Sequence, residues 1–106
     1  MIKVSVMCPN KPGARFDHAY YLQKHMPMVK ARMGSALKFY AVEKGLAGGS
    51  PADPAIYAVV AHLHCDSIED FQRGFGPHAP EIMGDIPNYT DQTPLVQISE
   101  VLVDKG

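Results

Sequence analysis

The chain has 106 residues, of which 46% are hydrophobic and 20% are charged, and its formal net charge at pH 7 is −1. This length fits one domain with a modest core. The near-zero charge argues against binding to nucleic acid or to a membrane surface, because no surplus of basic residues is present to neutralise phosphates. The longest apolar runs, such as residues 56–63, are far shorter than a membrane span, so we expect a cytoplasmic protein.

The first part of the chain predicts a strand followed by a helix. Residues 2–8 alternate between apolar and other side chains, which is the period of a strand with one face against a core. Asp17 is a suitable N-cap for a helix that carries one apolar stripe and ends at Gly34. Pro27 lies inside this helix and has no amide hydrogen to donate, so it predicts a kink or a break near His25.

The rest of the chain predicts three further strands and a second helix. Residues 37–44 alternate again, and a loop rich in glycine and proline covers residues 45–54. The most strand-prone segment is 56–64. Ser67 begins a second helix in a pattern that resembles a capping box, and residues 95–103 form the last strand.

This order is the βαββαβ pattern of a ferredoxin-like fold, so we predict one α+β domain over residues 1–106 with a four-stranded antiparallel sheet. Helices would cover only one face of the sheet, although the other face also carries apolar residues. A second copy is the simplest cover, and we therefore predict a homodimer whose sheets pack face to face as a dimeric α+β barrel. Cys8 and Cys65 are expected to be reduced. We also expect them near the same end of the sheet, as parallel first and third strands would place them.

Three segments resemble the EthD-type family, which is named after a gene cluster for ethyl tert-butyl ether degradation. They are Tyr20-Tyr21-Leu22 with His25-Met26-Pro27, the run from Phe75 to Asp91, and the ending from Gln97 to Val101. The resemblance implies a dimeric α+β barrel, usually without a metal or an organic cofactor. The surrounding superfamily includes cofactor-independent monooxygenases, polyketide cyclases and muconolactone isomerases. An oxidoreductase or catabolic role is therefore an expectation by association.

His25 is the first candidate for a catalytic residue. It lies four positions after Tyr21, so the two side chains can share one line of the helix surface, with Tyr21 binding substrate. An imidazole in a semi-enclosed pocket can take or give a proton near neutral pH. The alternative is a histidine that hydrogen-bonds the carbonyl freed by Pro27 and only shapes the helix. The resemblance favours the functional role.

Four more residues are candidates for the same site. Tyr40 could donate a hydrogen bond to a developing oxyanion and act in catalysis beside His62. The alternative is an ordinary strand tyrosine whose hydroxyl contacts solvent. His62 and His64 share one face of the third strand, where a polar pocket wall that binds substrate is expected. A metal site there would need a third ligand, which no recognised motif supplies. His78 follows a Gly-Pro pair and either binds substrate or caps a helix.

Other motifs with known chemistry are absent. No glycine-rich phosphate loop, nucleophile elbow or pair of zinc-binding cysteines occurs. Asp85 and Asp91 lie in a turn-rich segment, and capping and turn roles explain them.

Two functions remain open on the sequence. The leading one is an enzyme without a tightly bound cofactor that acts on a small apolar or aromatic compound inside each subunit. Monooxygenase-like oxidation is one version of this function, and isomerisation or cyclisation through proton transfer is another. The second function is a non-catalytic module that binds a small hydrophobic compound or supports an oxidative degradation pathway.

Overall fold

The computed structural model describes all of residues 1–106, and the order of its elements agrees with the sequence prediction. The strands are β1 (Ile2–Pro9), β2 (Phe39–Lys44), β3 (Tyr57–Cys65) and β4 (Leu95–Glu100). The α-helices are α1 (His18–Tyr20), α2 (Met26–Met33), α3 (Ile68–Phe75) and α4 (Ala79–Gly84). A π-helical turn (Tyr21–His25) joins α1 to α2, and 3-10 turns lie at Gly34–Ala36, Gly76–His78 and Ile86–Asn88. The last strand ends at Glu100 and not at residue 103.

The four strands form one antiparallel sheet in the order β2-β3-β1-β4. In the register, Val4 of β1 lies opposite Leu63 of β3 and Ile98 of β4. On the other edge of β3, Tyr40 of β2 lies opposite Leu63. The prediction of an α+β domain with a four-stranded antiparallel sheet is confirmed.

The expected position of the two cysteines is wrong. Strand β1 runs antiparallel to β3, so Cys8 lies opposite Val59 while Cys65 lies opposite Ile2, at the other end of the sheet. The reason is topological: the first helix returns the chain so that β2 runs parallel to β1, and β3 then inserts between them in the opposite direction. Both thiols are free and buried.

The first helix contains no break at His25. The side chain of Asp17 caps it by accepting a hydrogen bond from the amide of Tyr20, and Gly34 ends it with a positive φ of 59°, as the sequence predicts. The hydrogen bonding departs from the α-helical pattern in the π-helical turn, which ends at His25, two residues before Pro27. The amide of Met26 donates to the carbonyl of Tyr21, five residues back, so the helix continues through the proline.

The helices cover one face of the sheet, and the core lies between the two layers. Alternate residues of each strand point to this face, so β1 contributes Ile2 and Val4 while β3 contributes Ala61 and Leu63. The first helix contributes the buried side chains Tyr21, His25, Met26, Val29 and Met33. No helix of this fold has the length and apolar character required to cross a membrane.

Candidate functional site

An apolar cavity of about 220 Å³ lies between the helices and the helix-facing side of the sheet. Hydrophobic residues make up 14 of the 16 that line it, and no lysine, arginine, aspartate or glutamate is among them. Val4 and Val6 of β1 and Leu63 of β3 form its floor, while Met26 and Phe75 belong to the helices above. A cavity of this composition suits an uncharged, largely apolar molecule.

His25 lies in the wall of this cavity and is only 5% exposed. It is the last residue of the π-helical turn, a feature that occurs frequently at functional sites. Its ring stacks on Tyr21, with centroids 5.2 Å apart, and lies 4.6 Å from the ring of Tyr89. The two aromatic rings hold the imidazole in one orientation.

Asp85 anchors the other side of the imidazole. Its Oδ2 lies 2.8 Å from Nδ1 of His25, and its Oδ1 accepts hydrogen bonds from Tyr20 Oη at 2.6 Å and Asn88 Nδ2 at 2.8 Å. Partial burial raises the pKa of the Asp85 carboxyl, but the hydrogen bonds from Tyr20, Asn88 and His25 outweigh it and hold that pKa below its ordinary value. Asp85 is therefore ionised at neutral pH and fixed on both of its oxygens.

The protonation of His25 follows from this anchor. Burial lowers the pKa of His25 below its ordinary value, although the hydrogen bond and the charge of Asp85 act against this shift. The imidazole is therefore neutral at pH 7, and its single proton lies on Nδ1, where the carboxylate accepts it. No protein group hydrogen-bonds Nε2, so this atom is a free base on a residue that lines the cavity.

The arrangement of His25 and Asp85 can perform general acid–base chemistry. The carboxylate fixes the tautomer and stabilises the imidazolium that forms when Nε2 takes a proton. No cluster of three or more His, Cys, Asp or Glu residues in the chain is placed to hold a metal ion.

The structure brings only two of the six candidate residues from the sequence into the cavity, namely His25 and Tyr21. Tyr40 is on the same side of the sheet, half-buried against the core, but it does not line the cavity. His62 and His64 lie on the opposite face of the sheet. His78 lines a separate polar groove beside Arg32.

His62 and His64 have partners of their own on that opposite face. Nε2 of His62 lies 2.9 Å from a carboxylate oxygen of Glu43, and its Nδ1 lies 3.5 Å from the hydroxyl of Ser5. The ring of His64 stacks on Phe39, with centroids 4.0 Å apart. Within one chain, His25, Tyr40 and His62 therefore do not converge on a common point.

Sequence reasoning missed the residues that hold His25. Asp85 is more than a turn residue, because it anchors the imidazole and is itself held by Tyr20 and Asn88. Asp91 does have a structural role, since its carboxylate accepts the backbone amide of Arg15 at 3.0 Å. The available signal was the resemblance itself, because Tyr20, Asp85 and Asn88 all lie in the segments that resemble the EthD-type family.

Comparison with known families shows where this chain belongs. The model of the EthD domain matches residues 14–93, a span that contains the whole His25–Asp85 arrangement. The chain belongs to the EthD family. The prediction of this family from three sequence segments is confirmed.

Solved structures of EthD proteins are similar to this chain over nearly its full length. An EthD-like protein from Ralstonia eutropha JMP134 is 55% identical, with a TM-score of 0.93, covering 98% of this chain and 94% of that one. An ethyl tert-butyl ether degradation (EthD) family protein from Bacillus halodurans C-125 is 15% identical, with a TM-score of 0.68, covering 96% and 99% of the two chains. HapK from Hahella chejuensis shares the fold at 12% identity and a TM-score of 0.55, covering 100% and 98%. No curated protein matches this EthD chain.

Proposed function

We propose that this EthD protein binds a small, uncharged, largely apolar compound in its cavity and moves a proton to or from it through Nε2 of His25. The observation that carries the proposal is the 2.8 Å contact between Nδ1 of His25 and Asp85 in the wall of an apolar cavity. A histidine that served only to shape the helix would not need a carboxylate held by two further donors.

The chemistry of the cavity selects the class of compound. No cation lines the cavity, so a carboxylate or phosphate group on the ligand would remain unpaired. The proposed substrate is therefore a neutral aromatic or alicyclic molecule with an acidic C–H or O–H, such as a ketone or a phenol. A volume of about 220 Å³ admits one or two rings.

The first step of the proposed reaction is proton transfer. Nε2 of His25 accepts a proton from the substrate, the C–H or O–H electron pair stays on the substrate, and Asp85 stabilises the imidazolium. Return of the proton to a different atom gives isomerisation or ring closure. In the monooxygenase-like route that the family resemblance implies, the same anion attacks molecular oxygen as co-reactant and forms a C–O bond. Protonation gives a hydroperoxide, and if the carbon carries a second hydrogen, loss of water leaves a carbonyl, so that the substrate supplies the electrons and the second oxygen atom leaves as water. Both routes begin at the same atom of His25.

The proposal is tested by proton exchange with a model ketone. In D2O, we expect the protein to accelerate deuterium exchange of the α protons of 2-tetralone, measured by NMR, and the H25Q variant to lose this acceleration. If H25Q binds 2-tetralone as tightly as the unaltered protein and exchange is unchanged, the base is another group. If neither protein accelerates exchange although both bind the ketone, the non-catalytic binding function is favoured.

We further propose that the protein is a homodimer that packs through the helix-free face of the sheet. This face carries Phe39, which is 49% exposed, and Leu95, which is 52% exposed, and burial of such side chains favours association. Light scattering at micromolar concentration should give twice the mass of the 11.6 kDa chain. A mass of one chain contradicts the dimer.

A cytoplasmic location also remains a proposal. Its support is the pair of free cysteines, Cys8 and Cys65, which suits a reducing compartment.

A further inference from the structure

Three residues supply all of the side chains in the cavity lining that carry an N–H or O–H group. They are His25, Tyr21 and Tyr89, and the remaining lining residues have aliphatic, thioether, phenyl or prolyl side chains. Nδ1 of His25 already donates to Asp85, and Nε2 is the proposed base. The side-chain donors that remain for a ligand are therefore the two tyrosine hydroxyls.

Neither of these hydroxyls hydrogen-bonds to the protein. Tyr21 is 2% exposed and Tyr89 is 1% exposed, and no group of the chain accepts a hydrogen bond from either side chain. The hydroxyl of Tyr20, by contrast, donates to Asp85 at 2.6 Å. Buried tyrosine hydroxyls usually have a partner, so a free one beside a cavity indicates that a ligand supplies the acceptor.

Tyr89 is the better placed of the two tyrosines to act beside the base. Its ring centroid lies 4.6 Å from that of His25, and the two ring planes are tilted by 55°. The ring of Tyr21 lies within 19° of parallel to the imidazole, and Tyr21 also lines a second pocket with Val42 and Lys44. The lone pair of Nε2 lies in the plane of the imidazole, so a substrate that reaches it lies at the edge of that ring and not on the face that Tyr21 covers.

The hydroxyl of Tyr89 keeps its proton at neutral pH. Burial raises the pKa of Tyr89 above its ordinary value, and the neighbouring Cys8 and Asp85 act in the same direction. The phenol is therefore a neutral hydrogen-bond donor throughout the pH range in which His25 is a base.

We propose that the substrate is a carbonyl compound and that the hydroxyl of Tyr89 donates a hydrogen bond to its carbonyl oxygen. When Nε2 of His25 takes a proton from the α carbon, the C–H electron pair forms a carbon–carbon double bond and the carbonyl π electrons move to the oxygen. The hydrogen bond from Tyr89 stabilises this enolate oxygen, and Tyr89 retains its own proton.

The inference rests on the proposed function and narrows its substrate class. A hydrocarbon offers no acceptor to the free hydroxyl, and a carbonyl group buried without a donor would lose its hydrogen bonds to water without compensation. In an enolisable ketone or aldehyde, the base meets the α carbon while the donor meets the oxygen. Both free polar groups of the cavity then have a partner in one molecule.

The Y89F variant tests the donor with two measurements. Phenylalanine keeps the ring that packs against His25 and removes only the hydroxyl. Loss of one donor to an oxyanion lowers a rate by about 10²–10³-fold, so we expect deuterium exchange of 2-tetralone to fall by that factor in Y89F. The second measurement is the pKa of bound 2-naphthol, an analogue of the enol of 2-tetralone, obtained from absorbance titrations. This pKa should be higher in Y89F than in the unaltered protein, because the naphtholate loses its donor.

Two further tyrosine variants serve as controls for Y89F. Tyr57 begins β3 and does not line the cavity, so Y57F should change neither the exchange rate nor the pKa of bound 2-naphthol. Y21F removes the other free hydroxyl and should have a smaller effect than Y89F on both. A loss in Y21F with none in Y89F overturns the assignment to Tyr89.

The outcomes separate this inference from the proposed function. If exchange is lost in H25Q and unchanged in Y89F, His25 remains the base and the role of Tyr89 is overturned. If Y89F loses exchange while the pKa of bound 2-naphthol stays the same, Tyr89 acts through packing alone and the inference is again overturned. If the unaltered protein binds 2-tetralone without accelerating its exchange, the proposed function and this inference both fall.

Discussion

Nδ1 of His25 and Oδ2 of Asp85 lie 2.8 Å apart although the two residues are 60 positions apart in the sequence. The helix that carries His25 and the segment that follows α4 meet only because both pack on the same face of the sheet. The contact leaves Nε2 as the reactive atom of the imidazole.

Replacing His25 by Gln should remove the base and preserve the fold. General acid–base catalysis contributes about 10²–10⁴-fold to a rate, so we expect exchange of 2-tetralone to fall by that factor in H25Q. Binding of the ketone should change little, because most of the lining is apolar. Exchange rates and binding isotherms on the same preparation check this. Unaltered exchange would rule out His25 as the base.

Replacing Asp85 by Asn should also impair exchange, although Asp85 does not touch the cavity. An amide can donate to Nδ1 and so favour the tautomer with its proton on Nε2, and it cannot stabilise the imidazolium. We expect a loss of about 10²-fold or more in D85N. D91N is the matched control, since Asp91 belongs to the same segment but accepts only the amides of Arg15 and Gln92. Equal losses in D85N and D91N would mean that the effect is on folding.

Replacing Tyr20 by Phe tests the support of Asp85. The hydroxyl of Tyr20 is one of the donors that lower the pKa of Asp85, so in Y20F this pKa should rise. Asn88 and His25 still hold the carboxylate, and the loss in exchange should be about tenfold or less. NMR titration of the Asp85 carboxyl measures the shift. A pKa that does not move would show that Tyr20 contributes nothing to the anchor.

The pH dependence should follow the lowered pKa of His25. The base is active when neutral, so exchange should be constant above about pH 6.5 and fall only at more acidic pH than an ordinary histidine would require. Stability depends on pH in the same direction. Below about pH 6.5, His25 takes up a proton in the unfolded chain more readily than in the folded chain, so the free energy of unfolding falls as the pH drops. H25Q should lose this contribution. A resonance assigned to His25 that titrates above pH 6.5 would contradict this prediction.

Gly74 should tolerate no side chain. A Cβ at this position would lie 2.5 Å from Cβ of Ala36, because α3 approaches the 3-10 turn after α2. We expect G74A to lower the free energy of unfolding by about 1–3 kcal/mol in urea titrations. Gly84 is the control, since a Cβ there meets no atom within 4 Å, and G84A should leave stability unchanged or slightly higher. Equal stabilities for the two variants would contradict this packing.

The sequence by itself determined the local elements and the family. The alternation of residues 2–8, the cap at Asp17 and the stop at Gly34 act over a few residues, so periodicity and capping rules identify them. The three segments that resemble EthD proteins predicted the family to which the chain belongs. The same local rules predicted a kink or a break near His25. The helix instead continues there through a π-helical turn, which a local rule did not foresee.

Only the tertiary structure decided which side chains meet. Whether a strand residue faces the helices or the open side depends on register across the whole sheet, and this separated His62 from His25. The direction of β3 placed Cys8 and Cys65 at opposite ends. Asp85 acquired its role in the same way, since a carboxylate in a turn becomes an anchor only when packing brings an imidazole within 2.8 Å.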